Sequence, residues 1–172
     1  MFRVWMPDRL FPTYDAITVD FLKEQGIEAL ILDIDNTIAP YEVPEPDERA
    51  LRWFDALKAA GIRASFVSNN HPPRAELFNR QIGIFVFADS KKPCGKNLRR
   101  AMAVMGSTPE NTAVVGDQIF TDVWAGKRLG MRAFIVPPIK DKKNLFFRTK
   151  RLLERPIMRA YRKKHENEEA EG

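Results

Sequence analysis

The sequence of 172 residues has few of the residue types that build soft metal sites and covalent cross-links, with one cysteine, Cys94, and two histidines. A single cysteine excludes an internal disulfide and a cysteine-rich zinc site, and it fits a reducing compartment, so we expect a cytoplasmic protein. Long apolar runs are also missing, since the stretch 82–88 falls far short of the roughly 18–20 residues that a membrane-spanning helix needs. We therefore expect no integral membrane protein and, from the residues that open the chain, no secretory signal.

The net charge of +5 hides an uneven distribution along the chain. Residues 1–139 carry 17 basic and 17 acidic side chains, and residues 140–164 carry 11 basic and 2 acidic ones, whereas residues 165–172 carry four glutamates. The length suits one globular domain. We expect that domain over 1–139, followed by a basic amphipathic tail over 140–172 that ends in a short acidic stretch. Any attraction to polyanions is expected from the tail.

Short apolar runs alternate with amphipathic stretches along the body. The runs predict five buried strands, at 29–33, 62–67, 84–87, 112–115 and 133–136. Apolar residues at helical spacing between them predict helices at 47–60, 73–81, 93–105 and 121–129. A further amphipathic stretch precedes the first strand, at 14–25. Strands buried on both faces and separated by helices predict an α/β fold, a three-layer Rossmann-like parallel sheet with helices on both faces.

The carboxyl end of each of the first four predicted strands leads into residues that can carry chemistry. Ligands of open parallel sheets bind outside this edge, so these residues are expected to converge there. They are Asp33, Asp35 and Thr37 after the first strand, Ser68 and Asn69 after the second, Lys91 and Lys92 beyond the third, and Asp117 and Asp122 after the fourth. The predicted site therefore combines acids, hydroxyls and a cation.

The acids at this edge indicate phosphoryl transfer. A carboxylate that ends a buried strand is costly unless it is paired or binds a metal, and Asp33 with Asp117 offers the hard oxygen ligands that suit Mg²⁺. With Mg²⁺ and a lysine neutralising phosphate oxygens, one carboxylate can attack phosphorus and form an aspartyl-phosphate. A second acid close by can protonate the leaving group and then activate water.

Four ordered motifs resemble those of the haloacid dehalogenase (HAD) superfamily, over about residues 28–136. The motifs are Asp33-Ile34-Asp35-Asn36-Thr37, Ser68-Asn69, Lys92-Pro93, and Gly116-Asp117 through Thr121-Asp122. The resemblance implies that Asp33 is the nucleophile and Asp35 the general acid/base. It implies that the phosphoryl group is held by Lys92, rather than its neighbour Lys91, and by Ser68, Asn69 and Thr37.

The same resemblance implies a magnesium cofactor. Its ligands would be Asp33, Asp117 and the backbone carbonyl of Asp35, with Asp122 supporting the site from outside the ligand set. Two alternatives stay open for Asp122. It is a direct metal ligand, or it is simply an acid in the first turn of a helix, where the helix dipole favours negative charge.

The acid at position 35 and the short spacings of the motifs narrow the reaction. Within the superfamily, an acid at this position implies a phosphatase or phosphomutase, and Asp35-Asn36-Thr37 favours the phosphatase. The 35 positions from Asp33 to Ser68 and the 24 from Ser68 to Lys92 leave no room for a cap domain. A capless, open site favours a large substrate, a membrane-embedded one, or closure by a neighbouring subunit.

The chain further resembles the YqeG-like branch, subfamily IIIA, which is related to phosphatidylglycerophosphate phosphatases. Residues 31–38, 67–70, 88–93 and 116–131, and part of the basic tail, carry this resemblance. It implies dephosphorylation of phosphatidylglycerophosphate to phosphatidylglycerol on the inner face of a membrane, with the protein attached peripherally.

Two other functions remain alternatives. The first alternative is a phosphatase of a small soluble phosphate ester. The second, in a different class, is an RNA- or ribosome-associated protein that acts through its tail. A basic amphipathic tail suits an anionic membrane surface, but packing of its apolar side on the body is the competing interpretation. No aromatic-rich recognition motif supports binding to nucleic acid, so we do not expect it.

Overall fold

The computed structural model describes residues 4–140 and 152–163. Its centre is a parallel sheet whose spatial order is β1-β6-β5-β2-β3-β4. The strands are β1 (Arg9–Leu10), β2 (Ala29–Leu32), β3 (Arg63–Val67), β4 (Phe85–Phe87), β5 (Thr112–Gly116) and β6 (Arg132–Ile135). Every residue of β2 and β5, the two central strands, is buried, which is why both read as unbroken apolar runs.

Helices cover both faces of this sheet. They are α1 (Val19–Glu24), α2 (Glu48–Ala59), α3 (Pro72–Asn79), α4 (Lys96–Met105), α5 (Trp124–Arg128) and α6, formed by residues 152–163. One apolar cluster joins the sheet to α1, α2 and α3 through Leu22, Phe54 and Phe78. A second joins the opposite face to α4, α5 and α6, with Leu98 and Ile157 among its members. The predicted three-layer α/β fold is confirmed.

The structure adds a strand and shifts several predicted boundaries. The sixth strand, β1, is only two residues long and lies beside β6, where Asp8 N–H donates to the Ala133 carbonyl and Phe11 N–H to that of Ile135. Helix α4 begins at Lys96, three residues later than predicted, because the chain around Lys92 is held in a loop. The amphipathic stretch 14–25 divides into a 3₁₀ turn (Tyr14–Ala16) and α1, which Thr18 caps.

The connections that flank the predicted site are short. Only α2 lies between β2 and β3, and only α3 and β4 lie between β3 and α4, so these connections contain no cap domain. Within the described ranges, no helix is both long and apolar enough to cross a membrane. The rest of the tail, residues 141–151 and 164–172, lies outside the described residues.

Candidate active site

The acids of the first motif lie on a tight turn that follows β2. The carbonyl of Ile34 accepts hydrogen bonds from the N–H groups of Thr37, Ile38 and Ala39, at 3.2, 2.9 and 3.2 Å. Asn36 has a φ of 65°, a left-handed conformation that asparagine tolerates better than most residues. The turn folds the chain back directly after Asp33, so that both acids of the motif stay at the carboxyl edge of the sheet.

Lys92 lies buried between two carboxylates. Its Nζ donates to Asp33 Oδ1 at 2.7 Å and to Asp122 Oδ1 at 2.6 Å, and only 3% of its side chain is exposed. Burial alone would lower the pKa of Lys92, but the charges of Asp122 and Asp33 outweigh burial and raise that pKa above its ordinary value. Lys92 therefore holds a fixed positive charge next to Asp33, whereas Lys91 is exposed.

Asn69 holds the backbone of the lysine loop. Its Oδ1 accepts from Lys92 N–H at 2.6 Å, and its Nδ2 donates to the Lys92 carbonyl at 3.3 Å. The side-chain amide of Asn69, a predicted phosphate ligand, is thus used to position Lys92. Ser68 is buried, and its Oγ accepts from Asn70 N–H at 3.0 Å.

A group of three buried acids can hold a metal ion. Carboxylate oxygens of Asp33, Asp117 and Asp122 lie within 4.8 Å of one another. Oxygen donors of this kind suit a hard divalent cation such as Mg²⁺. Burial raises the pKa of Asp33 to about 6, against the lowering effect of Lys92, and the negative charge of Asp122 adds to the increase. A cation at this position would relieve the repulsion among the acids.

The contacts of Asp122 favour a supporting role over direct coordination. Its Oδ1 faces Lys92, while its Oδ2 accepts from Gln118 N–H at 3.2 Å and from the hydroxyl of Thr121 at 3.3 Å. The carboxylate approaches Gly116 so closely that a Cβ on that residue would lie 2.3 Å from Asp122 Cγ. A glycine is therefore required where β5 ends.

The carboxylate of Asp35 is not one of the three clustered acids, and it contacts two residues that sequence reasoning missed. Asn70 Nδ2 donates to Asp35 Oδ2 at 3.0 Å, and Arg74 Nη2 lies 3.3 Å from Asp35 Oδ1. Arg74 also donates to the carbonyl of Pro40 at 3.3 Å. The hydroxyl of Thr37 is buried and has no hydrogen-bond partner among the described residues. Arg74 was detectable only as a cation in the first turn of a helix that begins at the carboxyl edge.

The structure thus brings the predicted residues into two adjoining groups. Asp33, Lys92, Asp117 and Asp122 form one buried charged cluster, and Asp35 is held beside it by Asn70 and Arg74. A buried lysine, a carboxylate of raised pKa and a neighbouring acid are the components that phosphoryl transfer through a covalent intermediate requires.

Comparison with known proteins agrees with this geometry. A family model described as haloacid dehalogenase-like hydrolase matches residues 3–130. The chain is 34% identical to the "Probable phosphatase YqeG" of Bacillus subtilis over 162 residues, which are 94% of each chain. It is 28% identical to the glyceraldehyde 3-phosphate phosphatase of Pyrococcus furiosus over 62% of its own length, but spans about half (47%) of that relative.

A solved structure supports the fold alone. CbbY from Rhodobacter sphaeroides superposes with a TM-score of 0.51 at 18% identity, over 70% of this chain and 90% of that one. The matches to the family model and to YqeG cover most of the chain and include all four motifs. The chain therefore belongs to the haloacid dehalogenase-like hydrolase family, among its phosphatases.

Proposed function

We propose that this protein is a Mg²⁺-dependent phosphomonoester hydrolase that forms an aspartyl-phosphate on Asp33 and acts on phosphatidylglycerophosphate at a membrane surface. The observation that carries the chemistry is the buried Lys92, whose Nζ contacts both Asp33 and Asp122 beside Asp117. Its positive charge and the adjacent carboxylates suit a site that binds a phosphate dianion and a divalent cation together.

The reaction follows from the two acids of the first motif. A carboxylate oxygen of Asp33 attacks phosphorus while Asp35 gives its proton to the departing alcohol oxygen, so the ester P–O bond breaks and an aspartyl-phosphate forms. Asp35 then removes a proton from a water molecule whose oxygen attacks the same phosphorus. Inorganic phosphate leaves, and Asp33 is a carboxylate again.

The surrounding residues serve the phosphoryl group. Lys92 neutralises its oxygens, and the unused hydroxyl of Thr37 is available to donate to them. The backbone N–H that follows Ser68 is the second proposed donor. Mg²⁺, when bound by Asp33, Asp117 and the backbone carbonyl of Asp35, supplies further charge neutralisation. Because only the backbone carbonyl of Asp35 would bind the metal, its side chain remains available for proton transfer. Asn70 and Arg74 hold that side chain in place.

Two features favour a lipid over a soluble ester. The connections around the site contain no cap, which leaves it accessible to a substrate within a membrane surface. The outer side of α6 exposes Arg155, Arg159 and Arg162 together with Leu152 and Leu153, which are 59% and 58% exposed. Basic and apolar side chains on one helical surface suit an anionic membrane.

The test is phosphate release by the full chain from phosphatidylglycerophosphate in anionic vesicles and from soluble sugar phosphates and nucleotides, with and without Mg²⁺. We expect Mg²⁺-dependent release that is at least tenfold faster from the vesicles. A faster reaction with a soluble ester would contradict the lipid substrate but not the hydrolase. No release from any ester, with or without RNA binding, would contradict the hydrolase itself.

A paired variant tests the membrane-facing surface. Leu152→Ser with Leu153→Ser should lower turnover in vesicles several-fold and leave turnover of a soluble ester unchanged, because these side chains are exposed and remote from the chemistry in sequence. Val104→Ser is the matched control, since Val104 is an exposed apolar residue on α4. Equal vesicle turnover in both variants would contradict membrane contact through α6.

A further inference from the structure

Helix α6 is docked on the body by one side of its surface. Glu154, Ile157 and Tyr161 are buried, and their spacing of three and four residues puts them on one face. Ile157 packs in the apolar cluster that contains Ile119 and Val123. The hydroxyl of Tyr161 accepts a hydrogen bond from Leu10 N–H at 3.0 Å, so α6 also contacts the edge strand β1.

Glu154 is the acid in this otherwise apolar docked face. Its Oε1 accepts a hydrogen bond from Ile119 N–H at 3.0 Å, in a buried contact that joins residues 35 positions apart. A buried carboxylate is costly unless hydrogen bonds compensate it. The bond to Ile119 N–H is one that an apolar residue at this position could not make.

The N–H group that Glu154 accepts from lies at the open end of a helical turn. Ile119 begins the π-helical turn Ile119–Val123 that leads into α5, and the first N–H groups of any helix lack partners within it. Gln118, which precedes the turn, does not cap it with its side chain but donates to Asp117 Oδ1 at 3.4 Å. Glu154 supplies an acceptor for the first N–H group of this turn.

The turn that Glu154 caps carries one acid of the active site, Asp122, and closely follows another, Asp117. Asp117 lies two residues before Ile119, and Asp122 N–H donates to the Gln118 carbonyl at 3.0 Å. Asp122 in turn accepts from Lys92 Nζ. The close approach of Asp122 to Gly116 leaves little space for the turn to move without displacing that carboxylate.

We propose that Glu154 is a positioning residue for the metal and lysine groups of the active site, acting through Ile119 from the C-terminal helix. The inference rests on the proposed function, because it assigns to α6 a role in Mg²⁺ binding by that same site. Glu154 thereby acts on the catalytic unit, although it follows the last strand and every HAD motif in sequence.

The experiment compares variants of the full chain by Mg²⁺ calorimetry, thermal unfolding and amide hydrogen exchange. Glu154→Ala removes the acceptor and should weaken Mg²⁺ binding about tenfold or more, the usual effect of losing a group that orients metal ligands. Exchange at the amides of Ile119 and Asp122 should become faster. Glu154→Gln keeps an oxygen acceptor and should recover most of the Mg²⁺ affinity.

Ile157→Ala is the control for mere loss of docking. It removes packing from the same face and should lower the Tm, yet leave the Glu154 bond and the Mg²⁺ affinity within about twofold. Glu154→Ala with unchanged Mg²⁺ affinity, or Ile157→Ala with an equal loss of affinity at a comparable Tm, would overturn the proposal.

Failure of the proposed function gives a different result. A wild-type chain that neither binds Mg²⁺ nor hydrolyses esters contradicts that function and the role of Glu154 in metal binding together. Unchanged exchange at Ile119 in Glu154→Ala, in a chain that does bind Mg²⁺ and turn over, contradicts the positioning role alone.

Discussion

At the scale of single residues, the surroundings of Asp33 disfavour the ionised form of its carboxyl group. Burial raises its pKa to about 6, and the nearby carboxylates of Asp122 and Asp35 act in the same direction, while Lys92 acts against them. A cation that binds Asp33 must therefore compete with a proton in mildly acidic solution. The carboxylate is ionised and available for both metal binding and attack only above that range.

This competition predicts how Mg²⁺ binding depends on pH. Because the pKa of Asp33 in the metal-free chain is raised, the proton is favoured below about pH 6, and Mg²⁺ affinity should fall by about tenfold for each further pH unit. Above about pH 7 the affinity should be nearly constant. Calorimetric titration at pH 7.5, 6 and 5 measures the effect, and an affinity that stays constant down to pH 5 would contradict it.

Arg74 illustrates a residue whose role only the structure reveals. Its guanidinium contacts Asp35 and the Pro40 carbonyl, which fixes the proposed proton donor relative to the turn that carries it. The sequence places Arg74 nearly forty positions after Asp35, and nothing in its local pattern distinguishes it from a solvated arginine. The role proposed for Glu154 is hidden in the same way, because it bonds to a backbone N–H that no side-chain pattern marks.

Replacement of Arg74 is expected to lower kcat specifically. Arg74→Ala should lower kcat by about 10- to 100-fold, since a misplaced catalytic group costs rate far more than binding, while KM changes little. Arg80→Ala, an exposed arginine at the end of the same helix, should leave both constants within about twofold. Steady-state kinetics on a soluble phosphate ester measures kcat and KM for both variants. A rise in KM at constant kcat in Arg74→Ala would contradict a positioning role.

At the scale of secondary-structure elements, periodicity predicted the strands that are long and buried. Strands β2, β3 and β5 lie within one or two residues of their predicted positions because they are continuous apolar runs. Strand β1 was missed because two residues carry no period, and its backbone contacts with β6 come from a distant part of the chain. The start of α4 was predicted too early because Asn69, which lies before α3 and β4, holds Lys92 in the loop that precedes α4.

Gly116, at the junction between β5 and the π-helical turn, is expected to tolerate substitution poorly. Gly116→Ala would put a Cβ 2.3 Å from Asp122 Cγ, so Asp122 must move and Lys92 loses a partner. We expect kcat to fall at least tenfold and the free energy of unfolding to fall by about 1–3 kcal/mol, as is usual for overpacking.

Gly126→Ala is the control that separates the loss of kcat from the loss of stability. Its Cβ would lie 2.2 Å from Val114 Cγ1 in the packing of α5 on the sheet, so a similar loss of stability is expected with a smaller loss of kcat. Urea unfolding and steady-state kinetics measure both quantities. A Gly116→Ala chain that is destabilised but fully active would show that Asp122 is not needed in its present position.

At the scale of the whole molecule, the parallel sheet gathers residues from four separate motifs at one edge. The sequence predicted this convergence from strand order and motif order, and the distances among Asp33, Lys92, Asp117 and Asp122 agree with it. The docking of α6 was one of two interpretations left open, because hydropathy alone does not distinguish an apolar face packed on protein from one packed on lipid. Within the described residues, α6 packs on the body through Ile157 and leaves Leu153 exposed.

If Asp33 becomes phosphorylated during turnover, rapid acid quenching will trap the phosphorylated protein. Wild-type protein mixed with excess phosphate ester and Mg²⁺, quenched within milliseconds and digested, should yield a peptide whose added phosphoryl group is localised to Asp33 by tandem mass spectrometry and removed by hydroxylamine. Asp33→Asn, folded by circular dichroism, should yield neither that adduct nor released phosphate. Phosphate release by Asp33→Asn at the wild-type rate, or an adduct localised to another residue, would contradict the account.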